Sequence, residues 1–295
     1  LAGVALLGVA CAVVGTFCVL RRRSMMADAL AHATLPGVAG AFLAATALGA
    51  QGRSLPVLLA GAAITGALGV ACAHALTRFT RVRDDAAIAA VLSVFFGLGI
   101  VLLSVVQTLP GASQGGLTHF ILGQTAAMSV ADARVIGVGA LIACVVCALL
   151  FKELRLVAFD PEFARVQGWR TGLVDGALLG LLTGVTVVGL QAVGILMIVA
   201  LLVIPPAAAR LWTQRLAPML AIAAGIGLLS GAVGAAISAL RADAPAGAVI
   251  VLCAGACFVL SMLLSPRRGA LARLARHGVQ RWRAAREHAL RAVLE

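Results

Sequence analysis

Asp28 and His32 stand four residues apart in the stretch "ADALAHATLPG", residues 27–37 of an otherwise very apolar chain. On a helix, residues i and i+4 share a face with their Cβ atoms about 6 Å apart, so both side chains can reach one ion. A carboxylate with an imidazole suits borderline divalent metals, and zinc, manganese and iron(II) all accept that donor set. The same spacing fits a plain hydrogen-bonded Asp–His pair near a cytoplasmic helix end, close to Arg21, Arg22 and Arg23. One chain offers only two such ligands. A two-fold homodimer with this helix near the axis would bring two Asp and two His together. Pro36 and Gly37 follow one turn later and are expected to loosen the helix.

Two further motifs carry chemistry or mechanics. Pro205 and Pro206 leave backbone carbonyls without helical donors, which predicts a break that walls a pathway together with the Asp28 helix; a kinked cytoplasmic helix end before Arg210 is the plainer alternative. The segment "FKELRLVAFDPEFARVQGWR" (151–170) is the longest polar connection. Within it Asp160 reads as an N-cap, Pro161 as the first helical residue and Glu162 as an acid suited to the positive helix end, with Gly168 as the stop. The short helix carries Phe159, Phe163 and Val166 in a charged setting. It either rests that apolar side on the membrane or docks into a groove of a cytoplasmic partner.

The elements that must position these residues follow from composition. Of 295 residues, 62% are hydrophobic and 12% charged, against about a quarter charged in soluble domains. Mean hydropathy is +1.08. Apolar runs long enough to span a bilayer recur at 1–20, 27–48, 55–77, 87–106, 131–151, 173–190, 192–209, 216–240 and 246–264, and His119 to Met128 reads as a re-entrant piece. The fold class is therefore all-α, a polytopic membrane protein with eight or nine spans. Alternation of apolar and polar residues, the mark of a β-barrel, is missing. The opening run lacks a basic flank, so a cleaved signal peptide is not expected.

The net charge of +12 sits between the apolar runs and in the tail. This marks topology and does not point to nucleic acid. Arg21–Arg23, Arg78, Arg81, Arg83, the 152–170 segment, Arg210, Arg215 and the tail fall on the cytoplasmic side. Residues 1–264 form one transmembrane domain, and 265–295 a basic amphipathic tail with eight Arg, lying on membrane lipid. The seven Cys all lie inside apolar runs and read as packing, including the Cys144-x-x-Cys147 pair.

Some chemistry is excluded. Lys152, in the context Phe-Lys-Glu, is the single lysine of the chain, so a phosphate-binding loop ending in Gly-Lys-Ser/Thr is not available. His-Glu-x-x-His is lacking too. If ATP drives transport, another chain hydrolyses it, and no catalysis is expected here.

Six stretches in order resemble the permease subunits of the ABC importers for zinc, manganese or iron(II). They are 19–43, 83–104, "THFILGQ" (118–124), "AFDPEFARVQG" (158–168), 192–211 and "SPRRG" (265–269). Ala27, Ala31 and Asp85 depart from residues common in that family, but none removes a ligand type. The resemblance implies a type II-like ABC importer permease in a bacterial inner membrane. It implies that Asp28 and His32 bind the transported metal, with no cofactor held permanently. It also implies that Phe159, Asp160, Pro161, Glu162, Phe163, Arg165 and Gly168 couple to the ATPase. The implied partners are a second permease copy, two ATP-binding subunits and an extracytoplasmic metal-binding solute protein. A self-sufficient secondary carrier is the alternative; it would need more intramembrane carboxylates than Asp28 and Asp175.

Overall fold

A computed structural model describes residues 2–21, 24–48, 55–108, 130–240, 245–265 and 269. The re-entrant piece 119–128, the motif at 118–124, Arg22, Arg23, Arg267, Arg268 and the tail beyond 269 lie outside the described residues. Within them the chain is helical: α1 (Ala2–Leu20), α2 (Ser24–Ala47), α3 (Leu55–Phe79), α4 (Asp84–Thr108), α5 (Val130–Leu149), α6 (Phe151–Phe159), α7 (Pro161–Val166), α8 (Thr171–Val193), α9 (Ile195–Trp212), α10 (Leu216–Leu240) and α11 (Ala246–Leu264). Eight of these are long and apolar enough to cross a membrane, and α9 is a shorter apolar helix.

Two helices form the centre. The most apolar stretch of α1 is 72% buried and that of α2 67%, against 22–44% for the other six spanning helices. Around α2 pack α3 and α4; around α1 pack α5, α9 and α10, with α11 behind; α8 touches both groups, and α9 also leans on α2. The outer faces of α3, α4, α5, α10 and α11 expose Ile64, Val101, Leu141, Leu229 and Leu252, as lipid contact requires.

Small residues set the central spacing. Gly8 of α1 and Gly227 of α10 meet so closely that a Cβ on either would penetrate the other's carbonyl oxygen, and Gly37 of α2 meets Gly61 of α3 in the same way. In lipid, close approach of backbones replaces the hydrophobic drive between helices. The contacts also fix direction. Gly8 meets Gly227 and Gly231 lies by Val4, so α1 and α10 are antiparallel, whereas Phe96 of α4 lies by His32 and Gly99 by Leu35 and Pro36, so α2 and α4 run in the same direction. The cationic ends therefore gather on one face, as positive-inside counting expects. Ser265 joins the ends of α9 and α11 there, its hydroxyl donating to the Leu211 carbonyl at 2.6 Å.

The break expected at Pro205 and Pro206 does not occur, since α9 runs through both, and α2, expected to loosen at Pro36 and Gly37, stays continuous. Each proline removes one backbone donor, leaving the carbonyls of Leu201, Leu202 and His32 without their i+4 partners. Neighbouring helices hold the geometry instead. Gly15 of α1 sits directly against the Leu202 carbonyl, a place where any Cβ would clash. Gly99 of α4 approaches Pro36 from one side, while Gly61 and Thr65 of α3 approach Gly37 from the other.

Helices α8 and α9 are joined by one residue, Gly194, at φ 84° and ψ 166°, a backbone region that is essentially reserved to glycine. The polar connection 151–170 is more helical than the sequence suggests. Residues 151–159 form α6, which buries Leu154 and Val157 against the bundle.

Candidate functional site

Asp28 lies in the second turn of α2, and His32 one turn further along the same face. His32 Nε2 is 3.5 Å from Asp28 Oδ1, with the imidazole 16% exposed and the carboxylate 46%. The pair is thus brought together, long for a hydrogen bond and open on its carboxylate side. The His32 ring packs edge-on against Phe96 of α4, with centroids 4.9 Å apart and planes at 80°. That contact was not anticipated from sequence, because Phe96 sits in a uniformly apolar run. His32 Nδ1 is buried with no hydrogen-bond partner. Among the described residues no group of three or more His, Cys, Asp and Glu is placed to hold a metal ion, and the Asp28–His32 pair supplies two donors.

At the arginine-bearing end of the bundle, a cavity of about 550 Å³ opens below α2, lined by Arg21, His74, Arg83, Asp84 and Asp85 among others. The two acids open α4, where the positive helix end favours them. Nothing in their spacing marks them as neighbours of His74, which α3 contributes from ten residues upstream.

The segment with the capped helix is built locally. Asp160 Oδ1 accepts from the Phe163 N–H at 2.9 Å, satisfying one free donor of α7. Pro161 occupies the first turn, where its missing N–H costs nothing within α7. At the other end the Trp169 N–H reaches the Ala164 carbonyl and the Gly168 N–H the Arg165 carbonyl, both at 3.0 Å. With Gly168 at φ 84° this is a Schellman stop. Glu162 sits in the first turn, and Arg165 Nε donates to Thr171 Oγ1 at 3.4 Å, tying α7 to α8. Ala164 is buried, while Phe159 is 58% and Phe163 49% exposed. One bare ring thus closes α6 and the other stands on the capped turn of α7. The expected segment 158–168 therefore straddles the end of α6, the Asp160 hinge and all of α7.

A third cluster joins these regions. Arg21, just past α1, donates through Nη1 to the Val157 carbonyl of α6 at 2.8 Å and through Nη2 to both oxygens of Asp175 on α8 at 2.6 Å. The sequence marks Arg21 as part of a cationic run and Asp175 as an intramembrane carboxylate. Only the fold shows that they meet.

With that geometry in place, the chain can be set beside known proteins. It is 39% identical over 295 residues to the manganese transport system membrane protein MntC of Bacillus subtilis (strain 168), covering 100% of this chain and 67% of that one. It is 40% identical over 272 residues to the zinc transport system membrane protein TroC of Treponema pallidum (strain Nichols), covering 92% and 90%. In structure it is similar to PsaBC from Streptococcus pneumoniae in complex with Fab, at a TM-score of 0.77 and 29% identity, over 90% of this chain and 91% of that one. The family model of the ABC 3 transport family matches residues 1–265. Nearly the whole described bundle lies inside that match, and the protein belongs to the ABC 3 transport family.

Proposed function

We propose that this chain is the membrane-spanning permease subunit of an ABC importer that carries divalent metal ions into the bacterial cytoplasm. The observation that carries the reading is the Asp28–His32 pair on a central, mostly buried helix. Ionisable side chains in such a place are costly and mark a substrate path. The relatives' names speak of manganese and zinc; iron(II) joins them on donor chemistry alone.

In this reading two permease copies face each other across a two-fold axis, and each supplies Asp28 and His32 to one transient four-ligand site. An extracytoplasmic solute-binding protein delivers the ion. Two ATP-binding subunits hydrolyse ATP, and each receives the 158–168 segment of one permease, with its exposed Phe159 and Phe163, in a surface groove. A self-sufficient carrier is disfavoured because Asp175, the second intramembrane acid, is engaged by Arg21.

The test is transport by the reconstituted complex in proteoliposomes, assayed with manganese(II), zinc(II) and iron(II). Asp28→Asn and His32→Ala should each abolish uptake while the ATPase still co-purifies and basal ATP hydrolysis persists. Near-normal uptake in both variants would overturn the proposal.

A further inference from the structure

We infer that Arg21 is a positioning residue that relays movement of the ATPase-docking segment to the metal-bearing helix α2. The inference rests on the reading of 158–168 as that docking segment. Arg21 is fixed to the end of α1 by its own N–H, which donates to the Phe17 carbonyl at 3.0 Å. Ser24 begins α2 three residues later, and Asp28 lies in the second turn. One guanidinium thus ties the end of α1, three residues before α2 begins, to elements on both sides of α7: α6 before it and α8 after it.

The contact with α6 is written into the docking motif itself. The carbonyl of Val157 would normally accept from the residue four positions on, but that residue is Pro161, which has no N–H. The Asp160 N–H does not fill the gap; it donates to the Leu156 carbonyl at 2.9 Å. Arg21 Nη1 takes the vacant acceptor. The proline that opens α7 therefore creates the handle that Arg21 holds.

The chemistry requires arginine. A planar fork can grip a carboxylate with one nitrogen and a carbonyl with the other, whereas a lysine ammonium is a single point. The Arg21 and Asp175 side chains are only 15% and 16% exposed. An ion pair so far out of water gains little net stability, because desolvation offsets attraction. What it supplies is a fixed geometry among α1, α6 and α8, at the rim of the cavity beneath α2. A shift of α7 must then move the α1–α2 junction or break the grip.

The experiment uses the complete reconstituted complex and compares Arg21→Met, Arg21→Lys and Asp175→Asn. Three quantities are read: co-purification of the ATPase, manganese(II) binding by equilibrium dialysis, and manganese(II) uptake per ATP hydrolysed. Arg21→Met should keep association and binding yet lower uptake per ATP about tenfold, within the range by which network residues tune coupling. Arg21→Lys should fall between it and the wild type, and Asp175→Asn, which spares the Val157 contact, should lose least. Unchanged uptake per ATP in Arg21→Met overturns the relay. So does loss of ATPase association, which would make Arg21 a scaffold of the docking surface. If Arg21→Met does not accumulate, the other two variants are read by the same criteria. Phe163→Asp tests the underlying docking reading separately: retained association and uptake there would remove that reading without touching the Arg21 measurements.

Discussion

Helices α1 and α2 occupy equivalent places at the centre of the bundle, yet they are made of different material. The spanning stretch of α1 has a mean hydropathy of 2.4 and that of α2 only 1.3. α1 carries no charged residue. Its one buried hydroxyl, Thr16, bonds to the Ala12 carbonyl of its own backbone, and its glycines seal it against α9 and α10. α2 carries Asp28, His32 and Pro36 on a helix just as tightly gripped by its neighbours. Burial in this fold therefore serves two ends. Around the middle of α1 it produces close backbone packing, and around α2 it holds costly polar groups in place.

The sharpest way to test that division is to damage each helix in the currency of the other. Removing an imidazole or carboxylate from α2 is expected to have the largest effect. His32→Ala should lower uptake by more than the roughly 10–100-fold typical for losing a mere supporting group of a metal ligand, with abundance and thermal unfolding in detergent nearly unchanged. Gly8→Val in α1 should do the reverse. Its side chain would meet the Gly227 backbone, and overpacking of this kind costs about 1–3 kcal/mol. Lower unfolding temperature and yield, with normal uptake per assembled complex, is the expected pattern. If Gly8→Val instead lost uptake at full stability, α1 would be part of the moving machinery and the comparison would collapse. The smallest effect is expected from Phe96→Leu. It removes the edge-on contact with His32, worth about 0.5–1.5 kcal/mol, and should weaken apparent metal affinity severalfold while leaving the maximal rate intact; rescue by Phe96→Tyr would tie the effect to the ring.

The same two helices show where sequence reasoning reaches and where it stops. Local periodicity suffices for the apolar spans, for the shared face of Asp28 and His32, and for the Asp160 cap, because each depends on residues within a few positions of one another. The continuity of α9 through Pro205 and Pro206 was misjudged, since the compensating partner, Gly15, is nearly two hundred positions away in the chain. The Arg21–Asp175 pair and the Val157 contact escaped for the same reason. The cavity residues His74, Asp84 and Asp85 come from two helices whose register is set only by packing. α6 was missed because its few buried positions, Leu154 and Val157, are scattered through a charged segment that reads as a loop. The identity of the ion is a different matter: in the proposed reading it depends on coordination across two copies, and Asp with His serves several metals equally.

The single-residue link at Gly194 bears on how the protein is made. The one-residue link keeps its own backbone satisfied: the Gly194 N–H donates to the Leu190 carbonyl and the Gly194 carbonyl accepts from the Ile198 N–H. With no polar loop between them, α8 and α9 are expected to enter the bilayer as one hairpin. During synthesis α8 would wait until α9 has emerged, so a chain truncated after Val193 should leave α8 uncommitted in an insertion assay, whereas extension to Trp212 should drive both in together.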